Sequence, residues 1–256
     1  MPLGTSPSGR RVVVTGATGG IGRAIIEALA AAGCTIGACD VAPGVESAFE
    51  GVEAVAGTAC FDVRDGAAAQ AEVATLVERL DGCDAVVANA GVVDTIHRAE
   101  RFPEEEWRKD LETNLSGQFN VVRAAFDALA RSGDGRIVLI SSAAAETGLP
   151  GQVAYAAAKA GTVGMARTLA GEWGPRGIRC NVVMPGFIAT PKVRALPEQM
   201  RDALTATVPL GRIGETGELA GTVAFLLSPA AAYINGAVIR VDGGFGLSTG
   251  GLMTGS

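Results

Sequence analysis

The sequence predicts an α/β fold, a single domain on a doubly wound parallel sheet of about seven strands with helices on both faces. Three observations lead there. Short, wholly apolar runs recur along the chain, and each is followed by a longer segment with helical spacing. The runs lack the alternation of a half-exposed strand, so both faces of the sheet must be covered. Gly and Ala are abundant while only 5% of residues are aromatic, which suits helices packed closely on a sheet better than an aromatic-rich sandwich.

The elements follow in order. Arg11–Thr15 is a short apolar strand that runs into glycines, and a helical pattern covers 21–32. Thr35–Asp40 is the second strand, entered after Gly33, a residue suited to closing the helix before it. A weaker strand is expected over 52–62 and an amphipathic helix over 67–80. Ala85–Ala88 is a compact apolar strand. The span 103–130 reads as one long helix, with Pro103 near its start and Glu104, Glu105 and Glu106 in its first turn, where acidic groups complement the helix dipole. A continuous apolar strand at 136–140 precedes a helix over 152–173, and a strand follows at 178–183. The proline-containing span 185–215 is irregular apart from a short helix near 198–204; a last helix covers 217–227 and a last strand 237–241. Nothing between 10 and 256 reads as a linker, composition break or repeat, which is the basis for a single domain. The Pro-, Gly- and Ser-rich stretch 1–9 reads as a flexible tail, not a targeting sequence.

Composition narrows the function classes. The net charge is −6 and no block of Lys or Arg stands out, which disfavours a nonspecific nucleic-acid binder. A single histidine, His97, excludes a multi-histidine metal site, and five cysteines without a CxxC pair offer no zinc site, so no metal is expected. Those cysteines read as reduced, mostly buried residues of a soluble, cytoplasmic protein. No apolar run approaches the ~20 residues a membrane span needs.

Between the first strand and the first helix stands Thr15-Gly16-Ala17-Thr18-Gly19-Gly20-Ile21-Gly22. Glycines in a strand-to-helix turn let the backbone approach a pyrophosphate, and the helix N-terminus supplies N–H donors and a partial positive charge. A strand before and a helix after satisfy the context of a Rossmann-type dinucleotide site, with Gly16, Thr18, Gly20, Ile21 and Gly22 as its cradle. The spacing is TGxxxGxG, which departs from GxGxxG. Asp40 ends the second strand, where an acid accepts hydrogen bonds from ribose hydroxyls and repels a 2′-phosphate. The expected cofactor is therefore NAD(H) rather than NADP(H).

Tyr155 and Lys159 lie four residues apart in the 152–173 helix, on one face and a turn apart. A phenol titrates near pH ~10 in water, and bringing it to working pH takes about 4 kcal/mol of differential stabilisation. A nearby ammonium works in that direction, and an oxidised nicotinamide would add to it.

TGATGGIG, Asn89-Ala90-Gly91, Asn114, Ser142, Tyr155, Lys159 and Pro185-Gly186 occur in that order, and with them the chain resembles the short-chain dehydrogenase/reductase family over residues 10–245. The resemblance implies a catalytic tetrad. Tyr155 would be the general acid/base, and Lys159 would hold the nicotinamide ribose and lower the tyrosine's pKa. Ser142 would hydrogen-bond the substrate oxygen, and Asn114 would anchor a water in a proton relay. It also implies that Asp62 and Val63 contact the adenine, that Asn89, Ala90 and Gly91 line the cofactor, and that Pro185, Gly186, Phe187, Ile188 and Thr190 form the nicotinamide stretch. Ala88 stands where the family often has Asn, a mainly structural position. The short connection from Asp40 to Val52 implies a reduced helix there.

Ala143, Ala144, Gln152 and Phe187 are expected pocket walls beside Ser142 and Tyr155. His97 falls near the cleft rim; Lys192 and Arg194 lie in the span 185–215, which in this family closes over substrate. The Gly-rich segment 243–256, with Phe245, Leu247, Leu252 and Met253, is expected near the substrate, on a neighbouring subunit or free. Small and apolar positions on the 103–130 and 152–173 helices, beyond those facing the sheet, fit a four-helix interface and a homotetramer, with a dimer second. The leading function is an NAD-dependent dehydrogenase interconverting a secondary alcohol and a ketone. A 3-oxoacyl thioester reductase is the close rival, although such reductases usually prefer NADPH. A non-catalytic NAD(H)-binding redox sensor is the alternative from another class, disfavoured by the complete tetrad. A sugar-nucleotide epimerase would need a larger C-terminal domain.

Overall fold

The computed structural model describes residues 4–247. Seven strands form one parallel sheet in the order β3-β2-β1-β4-β5-β6-β7. They are β1 (Arg11–Thr15), β2 (Thr35–Asp40), β3 (Val55–Cys60), β4 (Ala85–Ala88), β5 (Gly135–Ile140), β6 (Ile178–Pro185) and β7 (Val238–Val241). The helices are α1 (Gly20–Ala31), α2 (Val45–Ala48), α3 (Gly66–Arg79), α4 (Glu104–Leu111), α5 (Gly117–Ala124), α6 (Phe126–Arg131), α7 (Ala144–Thr147), α8 (Val153–Trp173), α9 (Pro191–Arg194), α10 (Glu198–Thr205) and α11 (Thr216–Leu227).

The apolar runs divide between two cores because successive side chains of a strand point to opposite faces. Val13, Val86, Ile137 and Leu139 meet Leu76, Val121 and Leu129 of α3, α5 and α6. Val12, Val14, Val87 and Val138 meet Ile25, Leu29, Leu219 and Val223 of α1 and α11. The strand order reverses between β1 and β4, so a crevice opens at their carboxyl ends, the place where open α/β sheets bind ligands.

Several local expectations are corrected. The helix expected over 103–130 is interrupted: α4 passes into a π-helical turn, Glu112–Ser116, before α5, and Ala125 breaks α5 from α6. That turn carries Asn114, whose side chain is tied to the Val92 backbone, a tertiary constraint that no local pattern contains. β3 begins only at Val55, because a turn closes from Val55 N–H to the Val52 carbonyl. The reduced helix after Asp40 is the single turn α2. The short helix α7 was not expected; Gly148, at φ +69°, ends it. Where the composition suggests a loose tail, residues 4–9 run beside α1 and the turn after α11. Gly9 donates to Gly33 O, Ala230 donates to Gly4 O, and the Cys34 thiol donates to Pro7 O. Cys34, Cys39, Cys83 and Cys180 are buried and Cys60 is exposed, all free thiols.

Candidate active site

The crevice at the strand ends is a cavity of about 940 Å³. Its floor is the glycine loop. Gly16 adopts φ +63°, and a Cβ there would lie 2.9 Å from the Ala90 Cα. A Cβ on Gly22 would lie 2.0 Å from the Gly16 carbonyl oxygen, which no side chain tolerates. Thr15 Oγ1 accepts hydrogen bonds from the backbone N–H groups of Asn89 and Ala90, and Asn89 Nδ2 donates back to Thr15 O and Gly16 O, so β1 and β4 clamp the loop between them. The first turn of α1 has no side-chain cap, which leaves its N–H groups directed at the crevice.

Asp40 closes one end. Its Oδ2 accepts from Thr18 N at 2.8 Å and Thr18 Oγ1 at 2.7 Å, and its Oδ1 accepts from Ala42 N. The carboxylate thus braces the glycine loop as well as facing the crevice. Asp62 lines the same end but is held by Arg64 in a forked pair, which keeps its carboxyl below the usual range. Val63 reaches the wall only in part, since it packs against Gly117, where a Cβ would sit 2.5 Å away.

The other end holds the tetrad. Asn114 is fully buried; its Oδ1 accepts from Val92 N at 3.1 Å and its Nδ2 donates to Val92 O at 2.9 Å. Gly91 is needed beside it, because a Cβ there would come within 2.6 Å of Asn114 Oδ1 and 3.3 Å of Lys159 Nζ. Lys159 is 3% exposed and donates to Ile140 O at 2.9 Å, with Nζ 5.7 Å from the centre of the Tyr155 ring. Ser141 does not face the cavity with its hydroxyl; it donates to Lys159 O and pins α8 to the end of β5. Ser142 Oγ accepts from Ala144 N.

The electrostatics correct one expectation. Burial pushes the Tyr155 phenol above its ordinary pKa, with Ser142 working against the rise, and burial pushes Lys159 down to about 8. Desolvation is the largest cause of both shifts.

The third wall is the segment after β6. Ala143 N donates to Pro185 O, and Gly186 N donates to Val241 O, with the Gly186 Cα packed on Asp242 so that a Cβ would lie 2.7 Å from its Cβ. Ile188 is buried, Phe187 meets Phe245 edge-on at 5.0 Å, and Thr190 caps α9 through Val193 N. A Cβ on Gly20 would strike Pro191 at 2.7 Å, so α9 rests directly on the glycine loop. Lys192 pairs with Asp94 across the mouth of the crevice.

All the residues expected at the cofactor and all four of the tetrad line this one cavity. Ala143, Ala144 and Gln152 do not: all three are buried beside it, with Gln152 Nε2 donating to Val93 O. Leu149, Val93, Arg64, Lys109 and Thr113 do line it and were missed, since nothing in a loop or an exposed helix turn distinguishes a wall residue from its neighbours. His97 lies outside, edge-on to Phe102, with its N–H on Gly151 O. Arg194 pairs with Glu215, away from the cavity. Of the C-terminal segment, 248–256 lies outside the described residues.

Comparison with known proteins agrees with this geometry. A family model described as enoyl-(acyl carrier protein) reductase matches residues 16–246. The chain is 40% identical over 237 residues to 3-oxoacyl-[acyl-carrier-protein] reductase FabG of Escherichia coli (strain K12), covering 92% of this chain and 97% of that protein. It is 40% identical over 254 residues to (3R)-3-hydroxyacyl-CoA dehydrogenase of Mus musculus, covering 91% and 94%. Among solved structures, a short-chain dehydrogenase/reductase from Brucella melitensis, titled glucose/ribitol dehydrogenase, superposes with a TM-score of 0.86 at 33% identity, covering 97% of this chain and all of that one.

Proposed function

The chain belongs to the short-chain dehydrogenase/reductase family, and from that premise we propose that it is an NAD(H)-dependent enzyme interconverting a secondary alcohol and a ketone, with Tyr155 as general acid/base. Membership makes it an oxidoreductase acting on CH–OH and keto groups with a nicotinamide cofactor. The observation that carries the finer reading is the convergence of Tyr155, Lys159, Ser142 and Asn114 on a crevice whose other end is a glycine cradle closed by Asp40.

The residues present fit a dinucleotide. Gly16 and Gly22 let the loop close on itself and on the end of β4, where a Cβ would strike Ala90 or the Gly16 carbonyl, and the N-terminus of α1 carries no side-chain cap, which suits a pyrophosphate. Asp40 presents a carboxylate at the ribose end, and Arg64, the lining cation there, is committed to Asp62. A 2′-phosphate would meet an acid and no free guanidinium, which favours NAD(H).

A nicotinamide held in this crevice would supply hydride transfer to or from the substrate carbon. In oxidation Tyr155 takes the alcohol proton; in reduction it returns one to the carbonyl oxygen. Ser142 holds that oxygen within hydrogen-bond reach. Lys159 would hold the ribose and offer a positive charge to the phenolate; Asn114 keeps the Val92 turn in place and would position a water for proton exchange. Phe187, Leu149 and Val93 give the cavity an apolar wall. A second reading, reduction of a 3-oxoacyl thioester, is favoured by the names of the two curated relatives.

Initial rates with NAD and NADP, on secondary alcohols and on 3-hydroxyacyl thioesters, test this. The expected result is NAD-linked turnover at least tenfold above NADP in kcat/KM. Equal or better use of NADP would overturn the cofactor assignment.

A further inference from the structure

Lys159, Asn114 and Ser141 satisfy their buried polar atoms, but Asp110 does not. It lies in α4 one turn before Asn114, is 1% exposed, and neither carboxyl oxygen has a hydrogen-bond partner. Among the described residues no other carboxyl is buried in this way. α4 packs on α8, which carries Tyr155, and a charge on Asp110 acts to raise the phenol's proton affinity. The ionisable groups around Asp110 are Glu106 and Lys109 on its own helix, Asp94 on the loop after β4, and Tyr155 on α8. Lys192 of α9 is taken up by Asp94, and Lys109 lies nearer Glu106 than any other acid, so no cation is dedicated to Asp110.

We propose that Asp110 is a positioning residue that extends carbonyl reduction to higher pH, by placing a buried, unpartnered carboxyl on the helix packed against α8, where its charge opposes a second negative charge on Tyr155. The inference rests on Tyr155 being the general acid/base. A carboxyl without donors resists ionising, and burial, Glu106 and Asp94 raise Asp110 above the usual carboxylate range. A carboxyl nevertheless starts about six pH units more acidic than a phenol. As pH rises Asp110 ionises first, and its charge then opposes a second negative charge on Tyr155. Reduction needs Tyr155 protonated and oxidation needs it ionised, so the same charge extends reduction to higher pH and delays oxidation.

The chain has two tyrosines, and Tyr233 is fully exposed, so the phenolate absorbance of the free protein separates them; Tyr155→Phe assigns the remaining step. Asp110→Asn removes the charge and keeps the shape, and Asp110→Leu removes the polar group altogether. In both variants the Tyr155 titration is expected to fall by about half a pH unit or more, roughly a threefold change in proton affinity. The onset of oxidation should move down by the same amount, and reduction should fade at lower pH than in the wild type. A Tyr155 titration unchanged in both folded variants overturns the proposal, as does a shifted titration with unchanged pH–rate profiles. Wild-type protein without turnover would count against the catalytic reading, while the absorbance titration would still decide whether the two groups are coupled.

Discussion

Tyr155 and Lys159 show what residue spacing reveals and where it stops. Four residues in a helix place both on one face, and the structure brings the lysine to 5.7 Å from the tyrosine ring. The direction of each proton affinity was not legible, because burial depends on what packs around the pair. Lys159 sits at about 8, so its ammonium is present below that pH and is lost as pH rises through it, in the range where a phenolate is wanted. Its hydrogen bond to Ile140 O holds the charged form in place, and a bound cofactor's ribose would add a second partner. Lys159→Met keeps the length and removes the charge. It is expected to lower kcat/KM about 100-fold or more, in line with loss of acid–base assistance, and to weaken NADH in a fluorescence titration. Activity within tenfold of the wild type together with unchanged NADH affinity would remove Lys159 from the mechanism.

At the scale of elements, wholly buried strands were the most legible. Val12–Val14 of β1 and Ala85–Ala88 are apolar throughout because both faces are covered, and charged, polar or glycine residues mark their ends. The π turn at Glu112–Ser116 was not legible: it contains no Pro or Gly, and its cause is the tie from Asn114 to Val92, 22 residues away. That turn places Asn114 in the site while α4 and α5 keep facing outward on either side of it. Trp107 and Phe119 are half-exposed on α4 and α5, and Gly164 and Gly171 of α8 have open space where a side chain would be. Two faces of this kind fit against their copies in a four-helix contact, which is the basis for proposing a homotetramer. Sedimentation at micromolar concentration should give four chains per particle; a monomer would contradict it.

For the whole molecule, a parallel sheet is what gathers distant residues. Every strand ends on the same side, so the loops after β1, β4, β5 and β6 open onto one crevice at the point where the strand order reverses. Order along the chain was enough to anticipate that crevice and the tetrad in it. It was not enough for the substrate walls: Ala144 and Gln152, close in sequence to Ser142 and Tyr155, are turned into the interior, whereas Leu149 and Val93 form the surface. A net charge of −6 suits a small-molecule substrate better than a polyanion. The proposed chemistry depends above all on Tyr155 moving the proton. The most direct measurement is NADH formation from NAD and a turned-over alcohol by Tyr155→Phe beside the wild type, with NADH affinity measured on both. Turnover is expected to fall by about 1,000-fold or more with NADH affinity preserved within a fewfold; near-normal turnover in Tyr155→Phe would mean that another group moves the proton.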